Sequence, residues 1–515
     1  MADEPRDNAT TSFDGTAGAT AAPEDGNAGT SRRGFLKAGV AMAAGGSATA
    51  TFNGEAQAQQ GNVANAAANG GDNDAELRRL VGASRILIKH VTALTVDPQV
   101  GDFADADILI EEGKIRDIRP EILASPDGVA TIDGTNRIAI PGFVDTHSHS
   151  YQGVLRSIMP NGALDPDYNR DVQMRLTPAF APADVHAGVL MTALGFIDMG
   201  TTTIVDLSQI SHSPEHSDAC IAALKEAGIR AVYGYSRGIG PAAQYPQDIA
   251  RLQRTYFNGD DQLLTLALGV SLDPATFRAA RDAGARAVLH IRNDSDKLLE
   301  LGRAGLLREG DEFIHCTYLT NEAWRLMRDS GGHVSLCPQI EMSMGHGVPA
   351  IQQALDNGVR PSLSSDHGVA VAQDFFFVMR AALIFQRMQI FARARAGERG
   401  LPALLTCRDA LEFATLQGAR CAALDARIGT LTPGKDADLL LLRADELSLW
   451  PVNNAAGTVV NLMNPGNVES VFVAGKPKKW RGRLVGVDAA RVMRSAEEAR
   501  NAVMRRAGYT VNFLG

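Results

Sequence analysis

The sequence has few cysteines, and they follow no pairing motif. Only five occur in 515 residues, and no two of them form a CxxC pair. An odd, dispersed set of this kind does not make a disulfide framework. We therefore expect buried, unpaired thiols that behave as small apolar side chains. They are Cys220, Cys316, Cys337, Cys407 and Cys421.

The sequence also lacks an excess of positive charge. It has 50 lysines and arginines against 59 aspartates and glutamates, which gives a formal net charge of -9. No basic stripe interleaved with aromatic residues is present, so a nucleic-acid partner is excluded. The hydrophobic share of 45% and charged share of 21% are typical of a soluble globular protein.

Large apolar side chains are scarce over residues 1–30, which predicts disorder there. The stretch "SRRGFLK" from Ser31 follows, then a mildly apolar run to about Ala50 and "AQA" at 56–58. This order predicts a disordered lead and twin-arginine signal peptide over 1–58, and export of the folded protein to the periplasm or the outside of the cell. The alternative is a chance arginine pair before an alanine-rich helix. The apolar run is too short for a stable membrane span.

Short apolar runs alternate with helical stretches through the middle of the chain, every thirty to forty residues. This alternation indicates βα units, and eight of them predict an α/β fold of the (β/α)8 TIM-like barrel type. The eight expected strands are Gly142–Asp145, Thr203–Asp206, Ala231–Tyr235, Leu264–Val270, Ala287–His290, Glu312–His315, Val334–Cys337 and Pro361–Ser364.

Strand-like runs also flank the barrel on both sides. "RILIKHVTALTV" and "ADILIEEGKIRDIRP" precede it, and "IGTLTPGKDADLLLLRA" and "VESVFVAGKPKKWRGRL" follow it. We expect them to pair in a small composite β-sandwich domain built from both ends of the mature chain. The expected organisation is a flexible lead-in over 59–84, β domain over 85–140, (β/α)8 barrel over 141–427, β domain again over 428–487, and a C-terminal helix and tail over 488–515.

Histidines stand where several of the expected barrel strands end. His147 and His149 end the first strand, and because residues i and i+2 of a strand share a face, both can reach one ion. His290 ends the fifth strand, His315 the sixth, and Asp366 follows the eighth. The C-terminal mouth of this barrel is where catalytic groups gather. Imidazoles with a carboxylate predict one divalent metal ion, zinc first with iron or manganese as alternatives, and a position left for water.

Four stretches of the sequence are similar to one known family. "PGFVDTHSH", "IHCTYLTNEAW", "VSLCPQIEMSMGHGVP" and "GTLTPGKDADLLLL" resemble motifs of the amidohydrolase superfamily, in its cytosine deaminase, chlorohydrolase and adenosylhomocysteine deaminase branch. The resemblance runs from about residue 85 to residue 487. It implies a barrel with a composite β domain, and a metal-dependent hydrolase.

The resemblance also implies roles for the residues at the strand ends. His147, His149, His290 and Asp366 match the metal ligands of mononuclear members. Asp366 also matches the acceptor of a proton from water, and His315 the histidine that polarises the substrate or the water. Binuclear members have a carboxylated lysine after the fourth strand. "LLTLALGVS" has no lysine, which favours one ion.

A glutamate found in deaminating members is missing. It would stand three residues after His290, where this chain has Asn293, and a neutral amide does not relay protons. Asp294 and Glu341 remain open as replacement carboxylates. We expect Asn293 and Glu341 to contact the substrate.

Gln152 and Arg156 follow the first strand and are expected to bind the substrate by lining the pocket, or else to pack the loop. The leading hypothesis is hydrolysis of a carbon–nitrogen bond, of the deaminase or amidase type, in a small heterocyclic or amide-containing molecule. The alternatives are loss of a halide or alkylamine, as in triazine hydrolases, and a non-catalytic binding protein on the same barrel. A homo-oligomer stays open.

Overall fold

Eight parallel strands form one sheet in the computed structural model, which describes residues 73–123, 128–259 and 262–514. Each strand pairs with its neighbour in chain order, from first to last. All eight expected strands are confirmed, with ends shifted by at most three residues. Numbered with the whole chain, they are β6 (Phe143–Ser148), β7 (Thr201–Ser208), β8 (Arg230–Tyr235), β9 (Leu264–Gly269), β10 (Ala287–Arg292), β11 (Glu312–Thr317), β12 (His333–Leu336) and β13 (Ser362–Leu363).

Backbone hydrogen bonds nearly close this sheet into a barrel. The His149 N–H donates to the Asp366 carbonyl and the Asp366 N–H donates to the His147 carbonyl, each at 2.9 Å. A parallel bridge joins Ser148 to Asp366 at the same place. The seam between the first and last strands therefore runs through residues expected to bind the metal.

Helices follow the strands of both sheets. They are α2 (Pro182–Asp198), α3 (Pro214–Ala227), α4 (Ile249–Tyr256), α5 (Pro274–Asp282), α6 (Ser295–Arg303), α7 (Asn321–Asp329), α8 (Pro338–Ser343), α9 (Ile351–Asp356), α10 (Phe375–Arg395), α11 (Cys407–Ala414), α12 (Leu416–Cys421), α13 (Ala455–Gly457) and α14 (Ala489–Ala507). Irregular helical turns cover Ser150–Leu155, Leu164–Leu176, Thr177–Ala179, Thr458–Leu462 and Pro465–Asn467.

A second sheet of nine strands is built from both ends of the described chain, as expected. Its central contact is the antiparallel pairing of β5 (Arg137–Pro141) with β14 (Leu439–Arg443), in which Ile140 faces Leu440. Isoleucines, leucines and Phe472 fill a separate apolar core on this sheet. The strands are β1 (Arg85–Ala93), β2 (Phe103–Glu111), β3 (Lys114–Arg119), β4 (Val129–Asp133), β5 (Arg137–Pro141), β14 (Leu439–Arg443), β15 (Val468–Val473), β16 (Lys476–Trp480) and β17 (Arg483–Leu484).

The predicted signal peptide over 1–58 lies outside the described residues. The predicted flexible lead-in over 59–84 is described from residue 73, and residues 73–82 form helix α1. Leu80 of α1 is 2% exposed and packs in the core of the second sheet, with Leu77 beside it. This part of the lead-in is therefore ordered, because two leucines three residues apart share one face of a helix.

A buried ion cluster joins the barrel to the second sheet. The guanidinium of Arg230, at the start of β8, donates to both oxygens of Asp438 and to Asp436, at 2.9 Å each. Arg230 has no exposed surface, and both aspartates lie just before β14. The C-terminal half of the sheet is thus attached to the barrel through charges shielded from water.

The cysteines and one apolar helix agree with the sequence-based expectations. All five cysteines lie in the described residues and all are unpaired; four are buried and Cys407 is half-buried. Among the described residues, α10 is long and apolar enough to span a membrane, and the bent pair of segments 164–179 and 182–198 passes the same test only as a pair. Half of the apolar window of α10 is buried within the protein, so it is weak evidence for a span.

Candidate metal centre and active-site cavity

Three imidazoles and one carboxylate meet at the C-terminal mouth of the barrel. His147 lies in β6 and His149 directly after it, so the period of two brings both rings to one side. His290 is contributed by β10, and Asp366 follows β13. His147, His149 and Asp366 are at most 4% exposed, while His290 is half-buried and faces the cavity.

The spacing of the donor atoms fits a single ion. Nε2 of His147 lies 3.2 Å from Nε2 of His290 and 3.3 Å from Oδ1 of Asp366. Nε2 of His149 lies 3.6 Å from the same Oδ1 atom. Four ligands at about 2.1 Å from a central ion stand about 3.4 Å apart when the arrangement is tetrahedral. The residues present therefore fit a divalent ion such as zinc.

The protonation of the three histidines suits metal binding. Burial lowers the pKa of His147 and of His290, and it lowers the pKa of His149 to about 3. Neutral imidazoles result, and only these offer a lone pair to a metal. Nδ1 of His149 donates to the Leu207 carbonyl at 2.8 Å, which directs the lone pair of its Nε2 towards the centre.

Asp366 is held in its ionised form. Burial would raise its pKa, but the neighbouring rings of His367 and His147 outweigh burial and keep the pKa well below the usual range. Its two oxygens are used differently, because Oδ1 faces His147 and His149 while Oδ2 lies 3.8 Å from Nε2 of His315. A carboxylate shared in this way can bind an ion and also receive a proton.

His315 lies beside the three histidines and has a second carboxylate on its other side. Its ring centroid is 5.8 Å from that of His147 and 5.6 Å from that of His290. Its Nδ1 lies 3.3 Å from Oε1 of Glu341, which α8 contributes. His315 and Cys316 both have positive φ, 68° and 54°, so β11 is distorted at the point where the His315 side chain enters the site.

A cavity of about 890 Å³ opens over these groups. His149, His290, His315 and Asp366 form part of its wall, so three of the four candidate metal ligands are accessible from it. Its volume is that of a pocket for a small organic molecule. Two guanidinium groups, of Arg237 and Arg292, also line it.

Gln152 and Arg156 do not line this cavity. Nε2 of Gln152 donates to the hydroxyls of Tyr151 and Tyr168, at 3.0 and 2.8 Å, so it supports Tyr168, which does line the cavity. Arg156 is exposed, and its guanidinium donates to the Met191 carbonyl of α2. Both residues act on the packing of the loop after β6.

Asn293 and Asp294 point away from the cavity as well. Asn293 has a φ of 52° and is exposed, with its N–H donating to the Thr317 carbonyl at 2.9 Å. Asp294 precedes α6, and its carboxylate pairs with Lys297 at 2.9 Å. The left-handed turn at Asn293 takes the chain out of the strand before either side chain can enter the site.

Tyr168, His346 and His367 are among the cavity residues that the predicted set did not include. The rings of Tyr168 and His367 are stacked with centroids 4.7 Å apart, and the ring of His346 lies 4.7 Å from that of His315. Within the described residues, the ring nitrogens of His346 and His367 have no hydrogen-bond partner. Four buried nitrogens facing a cavity are available to a ligand. In the sequence, the only signal for His346 and His367 was that they lie next to segments expected to form the site.

The profile of the Amidohydrolase family matches residues 138–478. The chain belongs to the amidohydrolase family. This match covers the whole barrel and the pairing of β5 with the C-terminal strands. The fold and the family expected from the sequence are confirmed, and with them a metal-dependent hydrolase of carbon–nitrogen bonds.

Known proteins similar to this amidohydrolase include deaminases and a chlorohydrolase. The 5-methylthioadenosine/S-adenosylhomocysteine deaminase of Caldicellulosiruptor saccharolyticus is 24% identical over 429 residues, which is 78% of this chain and 95% of that protein. A zinc-bound adenosine deaminase from Xanthomonas campestris aligns with a TM-score of 0.69 and 23% identity, over 82% of this chain and 98% of its own. The zinc complex of atrazine chlorohydrolase from Arthrobacter aurescens aligns with a TM-score of 0.71 and 22% identity, over 81% and 100%.

Proposed function

We propose that this amidohydrolase binds one divalent ion, zinc first with iron or manganese as alternatives, and hydrolyses a carbon–nitrogen bond in a small heterocyclic or amide-containing molecule. The proposed ligands are His147, His149, His290 and Asp366. The observation that carries the proposal is the spacing of 3.2 to 3.6 Å between their donor atoms, beside a cavity that His149, His290 and Asp366 line. Deamination of adenosine-like compounds by the relatives supports the choice of bond.

The side chains around the proposed ion divide the work of hydrolysis. A bound divalent cation lowers the pKa of water towards neutrality and polarises the group under attack. Oδ2 of Asp366 is free of the contacts made by Oδ1, so it is placed to accept a proton and return it to the departing nitrogen. Nε2 of His315 is placed to hydrogen-bond the substrate or the attacking water.

A second candidate reaction is displacement of a halide or an alkylamine. The exposed side chain of Asn293 favours it, because β10 then supplies no carboxylate to protonate a ring nitrogen. A leaving group that departs without such help needs only Asp366 and His315. A substrate panel of aminoheterocycles, cyclic amides and chlorinated triazines separates the two reactions by the product released.

Metal analysis of the purified protein, alongside a His290→Ala variant, tests the proposal. We expect about one ion per chain in the wild type, as for a four-ligand site, and at least a tenfold loss in the variant. His186→Ala is the matched control, because His186 pairs with Glu226 outside the site and should keep the ion. No ion in folded, metal-supplied wild type would instead favour a non-catalytic binding protein, and two ions would contradict the single-ion site.

Introducing the missing glutamate at position 293 should change little. Asn293→Glu places its carboxylate at an exposed turn, so we expect kcat/KM to stay within about twofold of wild type, as for a surface change. Steady-state kinetics on the best substrate of the panel, together with a search for new adenine or cytosine deamination, give the measurement. New deaminase activity would mean that the chain after β10 turns into the cavity.

We also propose export through the twin-arginine route to the periplasm or the outside of the cell. The support is the order of the arginine pair, the apolar run and the small residues at 56–58. Four buried, unpaired cysteines agree with a protein that folds before it is exported. Replacing Arg32 and Arg33 by lysine should retain the protein in the cytoplasm, as judged by immunoblotting of cell fractions.

A further inference from the structure

Glu341 is a fully buried carboxylate that binds the histidine of the site from the side away from the cavity. It has no exposed surface and belongs to the first turn of α8. Its Oε1 accepts the Cys337 N–H at 2.9 Å and lies 3.3 Å from Nδ1 of His315. Its Oε2 has no hydrogen-bond partner within the described residues. Burying a carboxylate costs free energy. The side-chain contact that Glu341 makes in return is with His315.

The ring of His315 bridges this carboxylate and the proposed metal centre. Nδ1 faces Glu341, while Nε2 faces the cavity and lies 3.8 Å from Oδ2 of Asp366. A neutral imidazole carries one hydrogen, and a carboxylate oxygen can only accept. The hydrogen therefore belongs on Nδ1, and the lone pair of Nε2 is directed into the site.

The structure does not support a second metal ion between His315, Cys337 and Glu341. The donor atoms of His315, Cys337 and Glu341 lie within 4.8 Å of one another. However, burial raises the pKa of the Cys337 thiol well above its usual range, so the thiol stays neutral. It already shares a hydrogen bond of 3.0 Å with Oγ of Ser364. A thiolate would be needed to bind an ion.

We propose that Glu341 is the positioning residue of the reaction: it fixes the tautomer and orientation of His315, so that Nε2 accepts a hydrogen bond from the attacking water or the leaving group. This inference rests on the function proposed above and deepens it. Because Asn293 is exposed, it contributes no group to the site, and Glu341 is the carboxylate that contacts His315 from outside the proposed ligand set. A carboxylate that orients a catalytic histidine through Nδ1 is a recurring arrangement in hydrolases.

The test compares two variants of Glu341 in zinc-loaded protein. Glu341→Leu removes both hydrogen bonds, and we expect kcat to fall about a hundredfold while KM stays within about twofold. Glu341→Gln keeps an acceptor oxygen for the Nδ1 hydrogen and should recover most of that loss. Gln339→Met is the control, since Gln339 lies on the same helix and, among the residues that the structure describes, its side chain bonds only the Ala372 carbonyl. Its kcat should match the wild type.

A measurement without substrate separates this inference from the proposed function. In histidine-labelled, zinc-loaded protein, side-chain ¹⁵N NMR should place the His315 hydrogen on Nδ1, with the signal assigned by its absence in His315→Gln. Glu341→Leu should shift that hydrogen or mix the two tautomers, while Gln339→Met should not. A hydrogen on Nε2 in the wild type would overturn the inference, and so would an unchanged kcat in Glu341→Leu. If Glu341→Leu does not fold, the NMR spectra of the wild type and Glu341→Gln decide.

Discussion

Asp366→Asn should lower kcat at least about a thousandfold, the largest effect on activity that we expect from one isosteric change. The amide cannot accept a proton, so the acceptor facing His315 is lost. The fold should persist, because the two bonds that close the barrel at this position use the backbone of Asp366. Steady-state kinetics, metal analysis and circular dichroism on the same preparation give the measurement.

An aspartate outside the site provides the matched control for this change. Asp296→Asn alters an exposed residue of α6 and should leave kcat, KM and metal content unchanged. If Asp366→Asn kept its metal and lost less than tenfold in kcat, Asp366 would be a ligand without a role in proton transfer. If the variant lost its metal, the loss of activity would show only that Asp366 is needed to bind the ion.

Arg230→Met should destabilise the folded protein by about 3 to 5 kcal/mol, the largest expected effect on stability. The side chain is fully buried and supplies two hydrogen bonds to Asp438 and one to Asp436. Asp436 keeps Lys114 and Arg427 as partners, but within the described part of the chain the carboxylate of Asp438 would keep only the Ala474 N–H. The midpoint of unfolding in urea measures the loss.

A surface ion pair provides the control, because the same arginine-to-methionine change should cost less stability where water reaches the charges. Arg360 is 40% exposed and pairs with Asp409 and Glu412, so Arg360→Met should cost at most about 1 kcal/mol. Changing Asp438 to leucine in the Arg230→Met background should recover part of the loss, since no buried charge is then unpaired at that position. A loss in Arg230→Met no greater than in Arg360→Met would mean that water enters the cluster.

The barrel was predictable because its strands are short apolar runs at regular intervals. The five groups at the strand ends were predictable for the same reason, since parallel strands bring their C-terminal ends together. His147 and His290 are 143 residues apart in the chain, yet their Nε2 atoms are 3.2 Å apart. Periodicity sets which end of a strand a residue occupies, and the closed barrel then brings those ends to one place.

The rest of the cavity depended on backbone conformation that the sequence pattern does not encode. A left-handed residue at position 293 takes the chain away from the site. An irregular helical segment, Leu164–Leu176, brings Tyr168 in. Glu341 was expected to contact the substrate, but its contact is with His315, because α8 directs the carboxylate behind the ring.

The pairing of β5 with β14 has a consequence for folding during synthesis on the ribosome. About three hundred residues separate the two strands, so the edge of β5 emerges long before the partner that covers it has been translated. The last strands must arrive before the edge is protected from other chains. Release of the nearly complete polypeptide is then the event that allows native assembly, and a premature stop before residue 439 should leave an aggregating product.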